Sequence, residues 1–143
     1  MAEKYQKIVA TGFLAHEGKV LVVKRAEMET FLPGYFELPG GKIDFGEDPK
    51  AALEREFQEE VKLSINVGKS YKTFAYVTNN GERHTVEIVF LATLTEDEQE
   101  VVLGKDHTEY HWIEKEEVDD YTFTDEAREC ILEGFGELLR NTK

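Results

Sequence analysis

Two apolar runs rich in Val and Ile lie near the start of the chain, at residues 8–16 and 19–25. Gly18 falls between them and can take the backbone conformation that a tight turn needs, so the pair predicts a β-hairpin. Residues 26–35 show little periodicity and contain Pro33-Gly34. This stretch therefore indicates a loop.

A short apolar segment at residues 36–38 ends at Pro39-Gly40-Gly41, and a helical pattern follows it. Asp48 can accept hydrogen bonds from the free amides of a helix start, and Pro49 suits the first helical position. We expect a helix from Pro49 to about Val61. Its apolar positions recur at near-helical spacing and should face the core, with charged positions opposite: Ala52, Leu53, Phe57 and Val61.

The second half of the chain alternates strands with a final helix. Residues 65–78 and 84–94 read as strands joined through the turn sequence Asn79-Asn80-Gly81, and residues 110–113 form another short strand. Thr124 can cap a last helix whose apolar residues fall on one side. The pattern predicts an α/β fold in which helices pack on a mixed sheet.

Length and charge limit the functions that the chain can have. It has 143 residues, of which 41% are apolar, and we interpret residues 1–143 as one domain with one site. Lys and Arg number 17 against 30 Asp and Glu, so the net charge of −13 disfavours binding to a nucleic-acid polymer. A small phosphorylated substrate remains compatible, since a divalent cation on clustered carboxylates reverses the local field.

Cysteine usage and the N-terminal sequence indicate a cytoplasmic protein. Cys130 is the one cysteine, so no intramolecular disulfide can form, and its apolar neighbours indicate core packing. Lys4 and Lys7 precede an uncharged run at residues 8–15, but no small-residue cleavage pattern follows. That run is also too short to span a bilayer.

The candidate chemistry lies between Gly40 and Leu63. Glu56, Glu59 and Glu60 occupy helical positions i, i+3 and i+4, so their carboxylates project from one face. Hard oxygen ligands in this arrangement suit Mg²⁺, or Mn²⁺, and leave coordination positions open for phosphate oxygens. The alternative is an ordinary solvated face of a glutamate-rich helix.

Residues around the helix strengthen the metal hypothesis. Gly40 and Gly41 allow the backbone to turn sharply and approach a ligand, so a carbonyl from this loop can join a metal shell. Glu47 and Arg55 can form a carboxylate–guanidinium pair that fixes the loop to the helix, which is a structural role. Six fixed positions from Gly41 to Glu60 match by chance at roughly one register in half a million.

These positions resemble the Nudix box, whose form is G, five residues, E, seven residues, then R-E-U-x-E-E-x-G-U with U a bulky aliphatic. Phe57 replaces an aliphatic residue, and Lys62 replaces a glycine that commonly takes a left-handed conformation. A lysine adopts that conformation at a cost of about 1 kcal/mol. No metal ligand is lost by either departure.

The resemblance extends beyond the box and is closest to MutT-type nucleoside triphosphate pyrophosphohydrolases. It implies the Nudix fold, an α/β/α sandwich, over about four-fifths of the chain. It also implies substitution at phosphorus by a metal-activated water. The segments outside the box that have counterparts there are Lys24-Arg25-Ala26, residues 36–42, residues 82–85 and Asp119-Asp120-Tyr121.

The resemblance implies a role for each candidate ligand. Metal binding falls to the three helix glutamates and the Gly40 carbonyl, with Glu56 the first candidate for general base. Glu109 is our candidate for a further acidic ligand from outside the box, and an ordinary surface glutamate is the open alternative. Glu87 is less favoured, because we expect its side chain to face solvent beside alternating Val86 and Ile88.

Substrate contacts are expected from a second set of residues. Arg25, Lys42 and Arg83 are candidates for phosphate binding, since cations are scarce in this chain. Leu38 and Asp125 match family positions near the base. An asparagine is expected where Asp125 stands if oxidised guanine is to be selected, so this residue argues against that selection.

Three functional hypotheses follow. The first is hydrolysis of a (d)NTP to a (d)NMP and pyrophosphate, and the second is hydrolysis of ADP-ribose, a nucleotide sugar or a dinucleoside polyphosphate. The third is a nucleotide-binding module without turnover, which need not retain all three helix carboxylates. The four histidines show no metal-ligand spacing to one another, and the sequence leaves a homodimer open.

Overall fold

The chain folds into a seven-stranded mixed β-sheet with a helix on each side. The structure is a computed structural model that describes residues 3–27 and 32–141. A 3₁₀ helix, Lys115–Asp120, precedes the last helix. The strands and α-helices are β1 (Tyr5–His16), β2 (Lys19–Arg25), β3 (Phe36–Glu37), β4 (Gly40–Lys42), α1 (Pro49–Val61), β5 (Ile65–Thr78), β6 (Arg83–Leu94), β7 (His107–Ile113) and α2 (Asp125–Asn141).

The sheet runs in the order β3-β2-β1-β6-β5, with β4 paired to β1 and β7 paired to β2. Strands β1 and β6 are parallel, whereas the other pairs are antiparallel, so the predicted mixed sheet is confirmed. The predicted hairpin is present as β1 and β2. Part of the predicted loop at residues 26–35 lies outside the described residues.

Two strands begin earlier than the local pattern predicts. Strand β1 starts at Tyr5, where it pairs with Arg83 of β6, and β7 starts at His107, where it pairs with Arg25 of β2. Both extensions depend on partners far along the chain. Neighbouring strands satisfy the backbone of polar residues that carry no apolar periodicity of their own.

Helix α1 forms as its sequence predicts. The Asp48 carboxylate accepts hydrogen bonds from the backbone amides of Lys50 and Ala51 at 3.0 and 3.3 Å. The four predicted apolar residues are all buried. Lys62 ends the helix in the left-handed conformation, with φ 59°, which confirms that a lysine takes the position where glycine is usual.

The sheet separates two apolar layers. One layer joins α1 to the sheet through residues such as Leu14 and Phe57, and the other joins α2 through Phe13 and Phe135. Cys130 is buried in the second layer, as predicted. No helix in the described part of the chain is long and apolar enough to cross a membrane.

We predict that Gly134→Ala destabilises the fold, whereas Gly136→Ala on the same helix stabilises it. A Cβ on Gly134 would overlap the buried Phe13 ring, while a Cβ on Gly136 meets the Arg140 guanidinium at an ordinary 3.7 Å. Overpacking costs about 1 to 3 kcal/mol, and alanine in place of helical glycine gains up to about 1 kcal/mol. Urea unfolding of both variants measures this. Equal stability of the two would contradict the Phe13 contact.

Candidate active site

A cleft of about 800 Å³ opens between α1, the sheet and the N-terminal end of α2. Glu56, Glu59 and Glu60 line one end of it. Lys7, Arg25 and Arg83 line the same cleft. The structure thus brings carboxylates and cations to one cavity, although β1, α1 and β6 are far apart in the sequence.

Arg55 ties the loop before α1 to the glutamates of the helix. Its Nε donates to Glu47 Oε2 at 2.8 Å, so the predicted pair is present. Nη2 donates to the Lys42 carbonyl at 3.0 Å. Nη1 donates both to Glu56, at 3.0 Å, and to Glu59, at 3.1 Å. One guanidinium therefore sets the position of the loop and of two carboxylates.

The charge of Arg55 changes the acidity of its partners. The hydrogen bonds from Arg55, and one from the Asp44 amide, lower the pKa of Glu47 to about 2. The same contact with Glu47 raises the pKa of the guanidinium. The pair is therefore ionised at every pH well above 2, which suits a structural role.

Glu60 is a buried carboxyl group without enough partners. Its side chain is 14% exposed, and its Oε1 has no hydrogen-bond partner among the described residues. Burial, followed by the charges of Glu37 and Glu56, raises the pKa of Glu60 to about 9. An ionised Glu60 is consequently costly in the protein alone, and a cation would relieve that cost.

Glu56 lies against the glycine loop. A Cβ on Gly41 would overlap its carboxyl group, and a Cβ on Gly40 would overlap the Ala10 carbonyl. Neither position has room for a side chain, so glycine is required at both. Burial raises the pKa of Glu56, against the lowering effect of Arg55. Glu59 is more exposed, at 57% of its side chain.

The carboxylates of α1 are donors that suit a divalent metal. Over residues 3–27 and 32–141, no three His, Cys, Asp or Glu side chains are gathered as a metal-binding group, and the carboxylates of Glu56 and Glu59 both accept hydrogen bonds from Arg55. The unpartnered, buried Glu60 oxygen nevertheless indicates that a cation beside it would be favourable, and the close approach of Gly41 to Glu56 leaves no room there for a side chain. Hard carboxylate oxygens of this kind suit Mg²⁺ or Mn²⁺.

His107 connects Glu60 to the cationic part of the cleft. Its Nε2 donates to Glu37 Oε2 at 2.8 Å, and its Nδ1 lies 3.7 Å from Glu60 Oε2. Glu37 in turn accepts from Arg25 Nη1 at 3.1 Å. Since a carboxylate only accepts, Nε2 carries the proton and leaves Nδ1 facing Glu60.

The cations of the cleft interact with one another. Partial burial lowers the pKa of Lys7, and the nearby charges of Arg83, Lys42 and Arg25 lower it further. Four cations thus lie close together in a chain with a net charge of −13. Lys42 itself is absent from the described lining of the cleft, and Arg83 Nε donates to Thr78 Oγ1 at 3.0 Å.

Two candidate residues are placed elsewhere by the structure. Glu109 pairs with Lys24 at 3.2 Å and with His111 at 3.1 Å, and among the described residues it does not line the cleft. The structure therefore gives no support to Glu109 as a further metal ligand. Asp125 also lies outside the described lining, although its neighbours Thr124 and Glu126 contribute to it. Leu38 is buried and lines the cleft.

The expectation for Glu87 is wrong. Its side chain lines the cleft instead of facing solvent, and its Oε2 accepts a hydrogen bond from Thr11 Oγ1 at 3.0 Å. Thr85 and Glu87 of β6 line the cleft, and Val89 lies on the same face of the sheet. This orientation is the reverse of the one that the alternation of Val86 and Ile88 predicts. Because both faces of this strand are covered, the alternation of polar and apolar residues does not tell which face is exposed to solvent.

Three residues of the cleft carried no functional signal in the sequence. Lys7 precedes the apolar run at residues 8–16, and Asp106 and His107 lie more than forty residues from the helix glutamates that they approach. The pairing of β7 with β2 and of β1 with β6 brings them together. Asp106 lines the cleft, and its charge contributes to the raised pKa of Glu60.

Comparisons with known proteins agree with this geometry. A family model described as the NUDIX domain matches residues 5–133. An 8-oxo-dGTP diphosphatase from Haemophilus influenzae is 31% identical over 112 residues, which is 78% of each chain. An ADP-ribose pyrophosphatase from Methanocaldococcus jannaschii is 29% identical over 84 residues, 59% of this chain and 48% of that relative. The fold is similar to the crystal structure of a MutT protein from Methanosarcina mazei Go1, with a TM-score of 0.79 and 26% sequence identity. The match covers 100% of this chain and 100% of that chain.

We predict that Glu47→Gln removes stability above about pH 4.5 and has little effect near pH 2. The folded pKa of about 2 lies below the ordinary 4.5, so the stabilisation is present above 4.5 and is lost as pH falls toward 2. Urea unfolding at pH 7, 4 and 2.5 measures it. Glu54→Gln, an exposed change on the same helix, is the control.

The Glu47→Gln/Arg55→Met double variant shows whether the two residues act as a pair. Its loss of stability at pH 7 should be smaller than the sum of the single losses. Strictly additive losses, or a difference from wild type that does not depend on pH, would show that the pair does not stabilise the loop.

Proposed function

Because this chain belongs to the NUDIX family, and is a pyrophosphohydrolase acting on phosphoanhydrides, we propose that it hydrolyses a nucleoside triphosphate to a nucleoside monophosphate and pyrophosphate. The observation that carries the proposal is that the helix glutamates and a group of cations line one cleft. Phosphate groups can therefore lie between positive side chains and a carboxylate-bound metal.

The cations favour a substrate with several phosphates. Lys7, Arg25 and Arg83 line the cleft, and burial together with the charges of the two arginines lowers the pKa of Lys7. A triphosphate would relieve the repulsion between these charges more completely than a neutral ligand. A diphosphate conjugate is the second candidate, favoured by the similarity to the ADP-ribose pyrophosphatase.

The residues that would hold a divalent cation are Glu56, Glu59, Glu60 and the Gly40 carbonyl. Mg²⁺, or Mn²⁺, would supply charge neutralisation on the phosphate oxygens and a bound water of lowered pKa. Glu60 is the most dependent of these residues on a cation, because one of its oxygens is buried without a partner.

Glu56 is our candidate for the group that accepts a proton from the attacking water. Burial raises its pKa, which makes the carboxylate a better proton acceptor, while Arg55 holds it in place. Arg25 lies on the other side of Glu37 and His107, a chain of hydrogen bonds that orients it within the cleft. Arg25 and Lys7 would bind the phosphates, and Leu38 would contact the base.

We predict that the protein converts at least one nucleoside triphosphate to the monophosphate and pyrophosphate, and that exhaustive metal removal abolishes this. In so acidic a chain, the glutamates cannot approach a polyphosphate without a cation. The experiment incubates nucleoside triphosphates, ADP-ribose and nucleotide sugars with enzyme and Mg²⁺ or EDTA, and resolves the products by chromatography. Turnover of the conjugates alone would select the second candidate, and undiminished turnover in EDTA would contradict the metal mechanism.

We predict that Glu56→Gln lowers turnover by at least about a hundredfold at saturating Mg²⁺. The substitution keeps the shape of the side chain but removes its charge and basicity. Glu54→Gln is the matched control, because Glu54 is exposed on the same helix and does not line the cleft in the described structure. Turnover of Glu56→Gln within about threefold of wild type would show that it is neither base nor essential ligand.

A further inference from the structure

Glu87 contributes to the cleft a carboxyl group that lies on the sheet, apart from the helix glutamates. Glu87 belongs to β6, and both of its oxygens are held: Oε2 accepts from Thr11 Oγ1 at 3.0 Å, and Oε1 accepts from Tyr76 OH at 3.4 Å. No Lys, Arg or His forms an ion pair with it in the described part of the chain. Burial raises its pKa to about 7.

Strand register fixes where Glu87 lies relative to the phosphate end of the cleft. Lys42 of β4 pairs with Val9 of β1, which pairs with Glu87 of β6. Glu87 is therefore two strand spacings, about 10 Å, from the glycine-loop strand that supports Glu56. This separation is comparable with the span of a nucleotide from its phosphate to the far edge of its base.

The environment of Glu87 suits a nucleobase better than a phosphate. Leu38 and Phe74 provide apolar lining of the same cleft, and a carboxylate repels phosphate oxygens. A carboxylate can accept about four hydrogen bonds. Thr11 and Tyr76 use one on each oxygen, so one acceptor site on each oxygen remains for a ligand.

Two acceptors side by side match one kind of base edge. Guanine presents N1–H next to its 2-amino group, which are two adjacent donors. Adenine and cytosine present an amino group next to an acceptor nitrogen, and thymine and uracil present a single N–H between two carbonyl groups. An acceptor pair therefore favours the guanine edge and is repelled in part by each of the others.

We propose that Glu87 is a specificity-determining residue that selects a guanine base by accepting hydrogen bonds from its N1–H and 2-amino groups. The inference rests on the proposed function, because it places a nucleotide in the cleft with its phosphates toward α1. Thr11 and Tyr76 are the positioning residues, since their hydroxyl groups orient the carboxylate.

The test removes the proposed hydrogen bond between Glu87 and the 2-amino group in two ways, once by changing the nucleotide and once by changing the residue. Steady-state rates are measured with dGTP and with dITP, which differ by the 2-amino group alone, for wild type and Glu87→Gln. We expect wild type to favour dGTP by about tenfold to a hundredfold in kcat/KM, mainly through KM. In Glu87→Gln the preference should fall to within about threefold, with kcat for dITP little changed, because Glu87 does not contact the reacting phosphates.

Two further variants keep the test informative. Tyr76→Phe retains the ring but removes one hydroxyl that orients Glu87, so it should lower the dGTP preference by a smaller factor, and it serves if Glu87→Gln does not fold by circular dichroism. Glu54→Gln should retain the full preference. A preference unchanged in Tyr76→Phe and in folded Glu87→Gln would overturn the inference.

Binding of the product nucleotides separates this inference from the proposed function. Calorimetric titration with dGMP and dIMP in EDTA needs no turnover. If triphosphates are hydrolysed but wild type shows no preference for dGTP over dITP, or the same preference as Glu87→Gln, the proposed function stands and the inference fails. If no triphosphate is hydrolysed but wild type binds dGMP more tightly than dIMP through Glu87, the proposed function fails and the role of Glu87 stands.

Discussion

Repulsion among the glutamates on one face of α1 is the constraint on which the rest of the site depends. Glu56, Glu59 and Glu60 cannot all be ionised and close together unless positive charge is supplied. Arg55 supplies part of it through hydrogen bonds to Glu56 and Glu59, and the same guanidinium holds the loop through Glu47. Glu60 lies beyond its reach and retains an unpartnered buried oxygen. The protein alone therefore leaves one carboxyl group unsatisfied, and this is the physical basis for proposing a divalent cation there.

The cleft separates its charged groups by their place in the fold. Helix α1 contributes carboxylates, whereas the ends of β1, β2 and β6 contribute Lys7, Arg25 and Arg83. Glu37 and His107 lie between the two groups. Glu37 accepts hydrogen bonds from Arg25 and His107, and His107 Nδ1 lies 3.7 Å from Glu60 Oε2. Farther along β6, Glu87 lines the same cavity beside the hydroxyl groups of Thr11 and Tyr76. This arrangement underlies the proposal that phosphates bind near the cations and a base near Glu87, although the net charge of the chain is −13.

Local sequence predicts what adjacent residues determine and fails where distant strands meet. The Asp48 cap, the buried face of α1 and the pair of Glu47 with Arg55 all lie within one short segment, and all are present. The alternation around Glu87 gives a period but not an orientation, so the sequence predicts a solvent-facing side chain that the structure places in the cleft. The nearness of Asp106 and His107 to Glu60 arises from the pairing of β7 with β2, and no local pattern encodes it. Glu109 is a suitable metal ligand by residue type alone, but its carboxylate pairs with Lys24 and His111 instead.

Direct titration with Mn²⁺, followed by electron paramagnetic resonance, tests the central claim that the glutamates of α1 form a divalent-cation site. Wild type should bind Mn²⁺ at a site that Mg²⁺ competes for, and Glu60→Gln should weaken this binding by about tenfold or more, since it removes the carboxylate that most needs a cation. Glu109→Gln should bind as wild type does, because Glu109 lies outside the cleft lining in the described structure. Equal affinity of wild type and Glu60→Gln for Mn²⁺ would contradict the account.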